Sequence, residues 1–185
     1  MRKVIFSMGV SLDGYIVGPD GTFDWAAPDE ELHRFHNDQT REIGVHLLGR
    51  NLYETMVFWE TADQDPALSD FEHEFAAIWQ GLAKVVFSTT LDEVVGNTRL
   101  LHGEPQAELE RLRAEPGLDI AVGGAGLAAP LSQRGLIDEY RLFVNPVVVG
   151  GGTPFFAHRE SPLPLELIET RTFGSQVIYQ RYARA

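Results

Sequence analysis

The stretch "DIAVGGAGLAAPL", residues 119–131, decides the fold class. A short β-branched run at 120–122 meets three glycines within four residues, and an apolar segment with helix-like character follows. Such a junction is a strand that turns tightly into a helix, as in folds where the two alternate. Glycines before a helix also leave backbone N–H groups open to an anion. The stretch alone does not separate a phosphate-binding turn from a plain connection.

The rest of the chain repeats this alternation of short strands and helices. Strands are predicted at "KVIFSM" (3–8), "VHLLG" (45–49), "KVVFST" (84–89), "DIAVGG" (119–124) and "EYRLFVNPVVVG" (139–150), the last broken by Pro146. Helices are predicted at "DEELHRFHNDQTREI" (29–43), "RNLYETMVFW" (50–59), after the S-x-x-E capping box at Ser69, and at "EPQAELERLRA" (104–114). A hairpin turns at Gly174. The pattern predicts an α/β fold with a mixed, mostly parallel sheet and a C-terminal antiparallel hairpin, in one domain spanning 1–185.

Composition excludes several classes of function. The chain has 15 Lys and Arg against 27 Asp and Glu, a net charge of −12, and no basic run, so it would repel a nucleic-acid backbone. The absence of cysteine excludes disulfides, thiolate metal sites and a cysteine nucleophile. No apolar stretch approaches the roughly 20 residues that span a bilayer, and the N-terminal run is too short for a signal peptide. We therefore expect a cytoplasmic protein without a membrane or nucleic-acid partner.

Polar residues follow two other predicted strands. Arg50 and Asn51 open a helix directly after a buried strand. An arginine there opposes the helix dipole unless an anion lies between them, although a solvated surface arginine is the alternative. Ser88 and Thr89 end the next strand, where their hydroxyls could equally satisfy turn backbone groups. Because ligands of α/β sheets bind outside the carboxyl ends of strands, these turns and the glycine turn together predict a nucleotide site.

The six histidines show no metal-ligand spacing. His33 and His36 are three residues apart on one predicted helix, a spacing more typical of exposed side chains than of a metal site. No serine lies in a nucleophile elbow. The sequence therefore predicts neither a metal site nor a catalytic triad.

Six segments in order carry a resemblance to a known family. They are "SMGVSLDGYIV" (7–17), "FDWAAPDEELHRF" (23–35), "LLGRNLYETM" (47–56), "VVFST" (85–89), "AVGGAGL" (121–127) and "NPVVVGGGTPFF" (145–156). Together they resemble the dihydrofolate reductase-like superfamily, which includes the C-terminal reductase domain of riboflavin biosynthesis. The resemblance implies a three-layer fold that binds NADPH along the carboxyl edge of its sheet, and it suggests a homodimer.

The resemblance also implies roles for individual residues toward NADPH. Carried over by motif, Gly9 and Ile16 would approach the nicotinamide carboxamide through their backbone, and Ser88 and Thr89 would flank the adenine ribose. The turn of Gly49, Arg50 and Asn51 would hold the 2′-phosphate and pyrophosphate side, and the pyrophosphate itself would lie on Gly123, Gly124, Ala125, Gly126 and Leu127.

On the substrate side, Glu31 is the residue expected to hold or relay a proton, with a solvated carboxylate as the alternative. Trp25 and Phe35 would form an apolar wall for a flat ring, which would raise the pKa of Glu31 by desolvation. As plain core residues the two aromatics would look the same in sequence.

The sequence departs from the family pattern at two places. Leu52 replaces a phosphate-contacting threonine, and Phe143 or Val144 replaces the threonine that partners the acid. The second departure argues against a pterin, and the missing deaminase half argues against the riboflavin enzyme's substrate. We therefore expect an NADPH-dependent reductase of an unidentified small heterocyclic or conjugated substrate. The alternatives are a riboflavin-pathway pyrimidine reductase, dihydrofolate reductase activity, or a non-catalytic NADP-binding or dimeric interaction module.

Overall fold

The computed structural model describes all 185 residues, and its strands and helices alternate as the sequence predicts. The strands are β1 (Val4–Ser11), β2 (Tyr15–Val17), β3 (Ile43–Gly49), β4 (Ala83–Phe87), β5 (Thr98–Leu101), β6 (Asp119–Gly123), β7 (Glu139–Asn145), β8 (Thr153–Pro154), β9 (Leu165–Thr172) and β10 (Ile178–Arg184). The helices are α1 (Glu30–Arg41), α2 (Arg50–Met56), α3 (Asp70–Gly81), α4 (Pro105–Ala114) and α5 (Ala125–Gln133). None of these helices combines the length and the apolar character that crossing a membrane requires.

Eight of the strands form one sheet in the order β5-β4-β3-β6-β1-β7-β10-β9. Every pairing from β5 to β7 is parallel, whereas β10 runs antiparallel to both β7 and β9. The remaining strands, β2 and β8, form a separate two-stranded ribbon. The predicted mixed, mostly parallel sheet with a C-terminal hairpin is confirmed.

Side-chain caps fix where α1 and α3 begin. The Asp29 side chain accepts a hydrogen bond from the Leu32 N–H at 2.9 Å, and the capping box predicted at Ser69 is present before α3. The helix predicted over 50–59 ends earlier, at Met56, and continues as a 3-10 turn over Val57–Glu60. The short strand β5, which has no clear polarity pattern, was not expected.

Both faces of the sheet are covered by helices, giving three layers. On β3, Val45 and Leu47 belong to one core cluster with Leu109 of α4 and with α5. Leu48 belongs to a second cluster, with Phe75 and other residues of α3. Because successive strand residues point to opposite faces, these clusters lie on opposite sides of the sheet. The expected three-layer architecture is confirmed.

The outer edge strand β9 leaves apolar side chains in solvent. Leu167 is 53% exposed and Ile168 is 49% exposed, and β9 pairs only with β10. An apolar edge strand with free backbone groups is a template for pairing with another chain.

We therefore predict that the protein is a homodimer that associates through β9. Ile168→Lys places a charge on this edge and should yield a monomer by light scattering coupled to gel filtration. Val95→Lys, at a 50% exposed valine away from the hairpin, is the control and should leave the mass unchanged. A monomeric mass for the unmodified chain at micromolar concentration would contradict the prediction.

Candidate functional site

Three strand-to-helix or strand-to-loop turns lie side by side at the carboxyl edge of the sheet. They follow β4, β3 and β6, which are neighbours in the sheet. Arg50, in the turn after β3, donates a hydrogen bond from Nη1 to Thr90 Oγ1 at 2.7 Å, which joins it to the turn after β4. Within that second turn, Ser88 Oγ accepts from the Thr90 N–H at 3.1 Å. The structure thus brings together the three turns that the sequence predicts for a nucleotide.

The third turn approaches the first turn of α2 closely, and a side chain at Gly123 would require its neighbours to move. A Cβ at Gly123 would clash with the Leu52 side chain and would lie 2.8 Å from His46 Nε2. The next residue, Gly124, has a φ of 93°, a conformation that side-chain-bearing residues rarely adopt. These two glycines let the start of α5 sit against the start of α2.

The converging turns offer donors to an anion. The N–H groups in the first turn of any helix have no partner within the helix. In α5 the N-cap residue is Gly124, which has no side chain to accept from them, so they are available to an anion. The Arg50 side chain is 46% exposed, and its Nε pairs with Glu54 at 2.8 Å in an i,i+4 ion pair. Its Nη2 is not used by either of these contacts. Helix N–H groups and a guanidinium are a suitable donor set for phosphate oxygens.

Beside the turns, between the sheet and the layer of α1 and α3, lies a cavity of about 330 Å³. Leu52 and His46, the side chains nearest to Gly123, are among its lining residues, so the cavity adjoins the glycine turn. Its walls include Trp59, Phe75 and Trp79. The ring centroids of Trp59 and Phe75 are 4.8 Å apart in an edge-to-face arrangement. The cavity is therefore a partly aromatic space next to the predicted cofactor turns.

A buried ion pair holds Trp59 in this wall. Lys84 is 1% exposed, and its Nζ lies 3.1 Å from Glu60, the residue after Trp59. The same Nζ donates to the carbonyl oxygens of Trp79 and Leu82 at 2.7 and 3.0 Å. A charge that is so buried persists only when it is paired and hydrogen-bonded, so the 3-10 turn that carries Trp59 is fixed to the sheet.

Three histidines line the cavity, and all are shifted toward the neutral form. Burial lowers the pKa of His36 to about 4, with a smaller contribution from the charge of His33, and burial lowers the pKa of His33 as well. For His46, burial and the nearby charge of Lys84 also lower the pKa to about 4. The expectation that His33 and His36 are exposed is wrong, because α1 turns this side toward α3 and the sheet.

Arg141 is the cavity's remaining ionisable side chain. It is 3% exposed, and its Nη2 donates to Glu139 Oε2 at 3.1 Å. Burial acts to raise the pKa of Glu139, but hydrogen bonds from Arg181 and Lys3 and the charge of Arg141 outweigh it and lower the pKa to about 2. Glu139 therefore stays ionised, and Arg141 shares it with Arg181 and Lys3.

The residues predicted for the nicotinamide end divide between two environments. Gly9 lines the cavity, and a Cβ there would lie 3.4 Å from Ala26 Cβ. Ile16 is 6% exposed and belongs to the main core cluster, so only its backbone could serve a ligand.

Two residues predicted for the adenosine and phosphate end are accessible. Thr89 is exposed in its turn, and Asn51 is exposed in the first turn of α2.

Glu31 does not fulfil the expectation placed on it. Its carboxylate accepts a hydrogen bond from the Gly174 N–H at 3.0 Å and pairs with Arg171 at 2.9 Å. The hydrogen bond from Gly174 makes the largest contribution, followed by that from Arg171, and together they lower the pKa of Glu31. The prediction that the pKa of Glu31 is raised is therefore wrong. Glu31 is also absent from the cavity wall. Its contacts tie α1 to the C-terminal hairpin.

The expected wall of Trp25 and Phe35 is also not formed at the cavity, which neither residue lines. Phe35 packs edge-to-face against Phe173 and Tyr179, with centroids 5.2 and 5.0 Å apart, in the core between α1 and the hairpin. Trp25 lies in a 3-10 turn over Asp24–Ala26, and its buried Nε1 has no hydrogen-bond partner. Phe35 is therefore a core residue, as the alternative interpretation of the sequence allowed.

The sequence analysis did not single out His46 or Arg141, and it considered His36 only as an exposed side chain or a metal ligand. Each is an isolated polar residue in an otherwise ordinary helix or strand, and their proximity depends on how β3, β7 and α1 pack. The one available signal was position: His46 alternates with Val45 and Leu47 and therefore faces the other side of β3. No group of three or more His, Asp or Glu is placed to hold a metal ion.

Comparison with known families identifies the chain. A family model described as the RibD C-terminal domain matches residues 2–179. The chain belongs to the RibD C-terminal domain family. This family's structures share the dihydrofolate reductase-like fold, so the resemblance drawn from the six sequence segments is confirmed, and the family supports an oxidoreductase of the riboflavin-pathway reductase type.

Two curated relatives come from Bacillus subtilis (strain 168). The uncharacterized protein YyaP is 33% identical over 96% of this chain and 92% of its own length. The uncharacterized protein YwjB is 30% identical over 100% of this chain and 99% of its own length.

Solved structures with little sequence identity share the fold. A candidate riboflavin biosynthesis protein from Shewanella sp. PV-4 superposes with a TM-score of 0.76 at 22% identity, over 100% of this chain and 99% of that one. The diaminohydroxyphosphoribosylaminopyrimidine deaminase/5-amino-6-(5-phosphoribosylamino)uracil reductase of Thermotoga maritima superposes with a TM-score of 0.67 at 14% identity. The match covers 100% of this chain and 57% of the Thermotoga protein.

The close approach at Gly123 yields a first stability prediction. Gly123→Ala should lower the free energy of unfolding by about 1–3 kcal/mol, because the added methyl overpacks against Leu52 and His46. Gly126→Ala is the matched control, since a Cβ there meets nothing within 4 Å, and it should be neutral or slightly stabilising. Leu52→Ala removes the side chain that the added methyl would contact. In a double-mutant cycle measured by urea unfolding, it should restore part of the free energy of unfolding that Gly123→Ala loses. Equal effects of the two glycine substitutions would contradict this account.

The Glu31 contacts yield a second prediction. Because the folded-state pKa of Glu31 is lowered, its charge contributes stability that is fully present above the unfolded value of 4.5 and is lost as the pH falls through the folded value. Glu31→Gln should therefore be less stable than the unmodified chain at neutral pH, and the difference should shrink in acid. Glu30→Gln, whose partner Arg34 is four residues away on the same helix, is the control and should be nearly silent. A difference that persists unchanged below pH 4.5 would show that charge is not the cause.

Proposed function

We propose that this protein is an NADPH-dependent reductase that transfers hydride to a small heterocyclic or conjugated substrate. The observation that carries the proposal is the position of the three donor-rich turns at the mouth of an aromatic cavity. Leu52 and His46 belong to both, since they line the cavity and lie nearest to Gly123. Membership of a family of reductase domains supports the same reaction type.

The residues at the carboxyl edge suit this cofactor. Arg50 would pair with the 2′-phosphate, and the uncapped start of α5 at Gly124 would receive the pyrophosphate. Ser88 and Thr89 would lie along the adenosine, and the backbone of Gly9 would receive the nicotinamide carboxamide. When bound, NADPH supplies the hydride.

The chain's own part in the reaction is to bind, orient and desolvate the acceptor. Trp59 and Phe75 exclude water from one side of the cavity, and Arg141 is the charged side chain that lines it. No carboxyl group lines the cavity, and its histidines are neutral at physiological pH because burial lowers their pKa values. The proton that accompanies the hydride therefore comes from water that reaches the acceptor, and not from Glu31.

Two other functions have support from particular features. The riboflavin-pathway pyrimidine reductase reaction is supported by the family match and by the description of the Thermotoga protein. A non-catalytic NADP-binding module is supported by Leu52 and Phe143, which lack the hydroxyl groups of the reductase pattern. Oxidation of NADPH by any member of a panel of pyrimidines, pterins and quinones separates an enzyme from a binding module.

Arg50 provides the direct test of the cofactor assignment. Arg50→Ala should weaken NADPH binding by about 1.5–3 kcal/mol, because a charged hydrogen bond to the 2′-phosphate is lost. NADH, which has no 2′-phosphate, should lose much less. Isothermal titration calorimetry with both nucleotides measures the two changes.

The matched control for this experiment is Arg34→Ala. Arg34 also forms an i,i+4 ion pair, with Glu30, and its side chain is 50% exposed against 46% for Arg50. It lies on α1, outside the three turns, and its loss should leave both affinities unchanged. If Arg50→Ala weakened NADPH and NADH equally, Arg50 would serve the pyrophosphate or the turn and not the 2′-phosphate.

A further inference from the structure

The carboxyl edge of the sheet carries little positive charge for a phosphate group. Arg50 is the only lysine or arginine in the turns that follow β3, β4, β5 and β6, at residues 49–51, 88–97, 102–104 and 123–124. Its guanidinium already pairs with Glu54 at 2.8 Å. A phosphate monoester carries about −1.5 to −2 charges at pH 7. The net charge of −12 on the chain adds a field that opposes it, so a second cation at this edge would strengthen binding.

His102 is the only histidine in these turns, and it directly follows β5. The Ser88 N–H donates to the Leu101 carbonyl oxygen at 3.2 Å, which continues the pairing of β4 with β5 by one step beyond Phe87. The pairing places His102 beside Ser88, and His102 Nδ1 lies 2.6 Å from the Ser88 carbonyl oxygen. The position of His102 therefore follows from β5, the strand that the sequence analysis did not predict.

The turn of residues 88–90 holds both His102 and Arg50. Arg50 Nη1 donates to Thr90 Oγ1 at 2.7 Å, and the hydroxyl oxygens of Ser88 and Thr90 are 3.3 Å apart. Arg50 Nη2 and His102 Nε2 are not used by these contacts, and both side chains are exposed. Two nitrogen atoms attached to one turn are thus available to the same ligand.

The contact with Ser88 determines which ring nitrogen of His102 carries a hydrogen. A carbonyl oxygen only accepts hydrogen bonds, so Nδ1 is the donor. In the neutral ring, Nε2 then presents a lone pair, which repels a phosphate oxygen. In the imidazolium, Nε2 is a charged donor that attracts one. Histidine changes its charge between about pH 5 and 8, so a phosphate at Nε2 draws a proton from solvent onto this nitrogen.

The charged residues of the surrounding elements do not pair with His102. They are Arg50 and Glu54 of α2, Asp92 and Glu93 of the loop after β4, and Glu104 of the turn into α4. Arg50 and Glu54 pair with each other. Because carboxylates outnumber the single arginine, these neighbours do not oppose a cation at His102.

We propose that the protonated ring of His102 is a second contact for the 2′-phosphate, beside Arg50, and that NADPH binding therefore takes up a proton that NADH binding does not. The proton comes from solvent and is held at Nε2. The inference rests on the proposed function, because it concerns the phosphate group that distinguishes the two nucleotides.

Calorimetry in two buffers measures the proton directly. NADPH and NADH are titrated at pH 7 in PIPES and in ACES, whose ionisation enthalpies differ. The slope of the observed binding enthalpy against the ionisation enthalpy is the number of protons taken up. NADPH should take up a few tenths of a proton more than NADH. The two nucleotides share the nicotinamide, so any titration of the cavity histidines cancels in this difference.

His102→Gln tests the assignment to this residue. Glutamine keeps an N–H donor for the Ser88 carbonyl oxygen but takes up no proton. The variant should lose the extra proton uptake and should bind NADPH roughly threefold to tenfold more weakly, because an exposed charged contact is lost. Its NADH affinity should be unchanged. His158→Gln, at an exposed histidine after β8, is the matched control and should change neither quantity. Circular dichroism melting checks that both variants are folded.

The outcomes separate this inference from the proposed function. Equal proton uptake with NADPH and NADH, or an extra uptake that His102→Gln retains, would overturn the role of His102. The reductase proposal would still stand if Arg50→Ala weakened NADPH selectively. Absence of NADPH binding to the unmodified chain would instead overturn the proposed function, and this inference with it.

Discussion

The rest of the structure depends on the close contact between the turn after β6 and the first turn of α2. Gly123 has no room for a Cβ, since Leu52 and His46 occupy that space. The contact places the uncapped N-terminus of α5 beside the turn that carries Arg50. Leu52 and His46 both touch the turn after β6 and line the cavity. A side chain at Gly123 would force Leu52 and His46, which the turns and the cavity share, out of their present positions.

Electrostatics divides the site into two parts. At the carboxyl edge, Arg50 and free N–H groups provide local donors on a chain whose net charge is −12. Inside the cavity, burial keeps the histidines neutral, and Arg141 shares Glu139 with Arg181 and Lys3. The outer part thus suits phosphate groups, whereas the inner part combines neutral imidazoles with the single charged side chain of Arg141.

The sequence was sufficient for the layers of the fold and for the three turns, because strand periodicity, caps and glycines act locally. It was insufficient for Glu31, whose pKa is set by Gly174 and Arg171 on a hairpin at the other end of the chain. It also missed that His36 and Arg141 line one cavity, which depends on the packing of α1 against Phe143 of β7. Such long-range pairs leave no periodicity or motif in a single sequence, whereas the donors at strand ends do.

The most direct measurement of the central claim is a crystal structure of the protein grown with NADP⁺. Our account predicts the pyrophosphate on the N–H groups that open α5, the 2′-phosphate on Arg50, and the nicotinamide toward Gly9 at the mouth of the aromatic cavity. A nucleotide bound elsewhere, or none bound at millimolar concentration in crystals whose three turns are open to solvent, would contradict it.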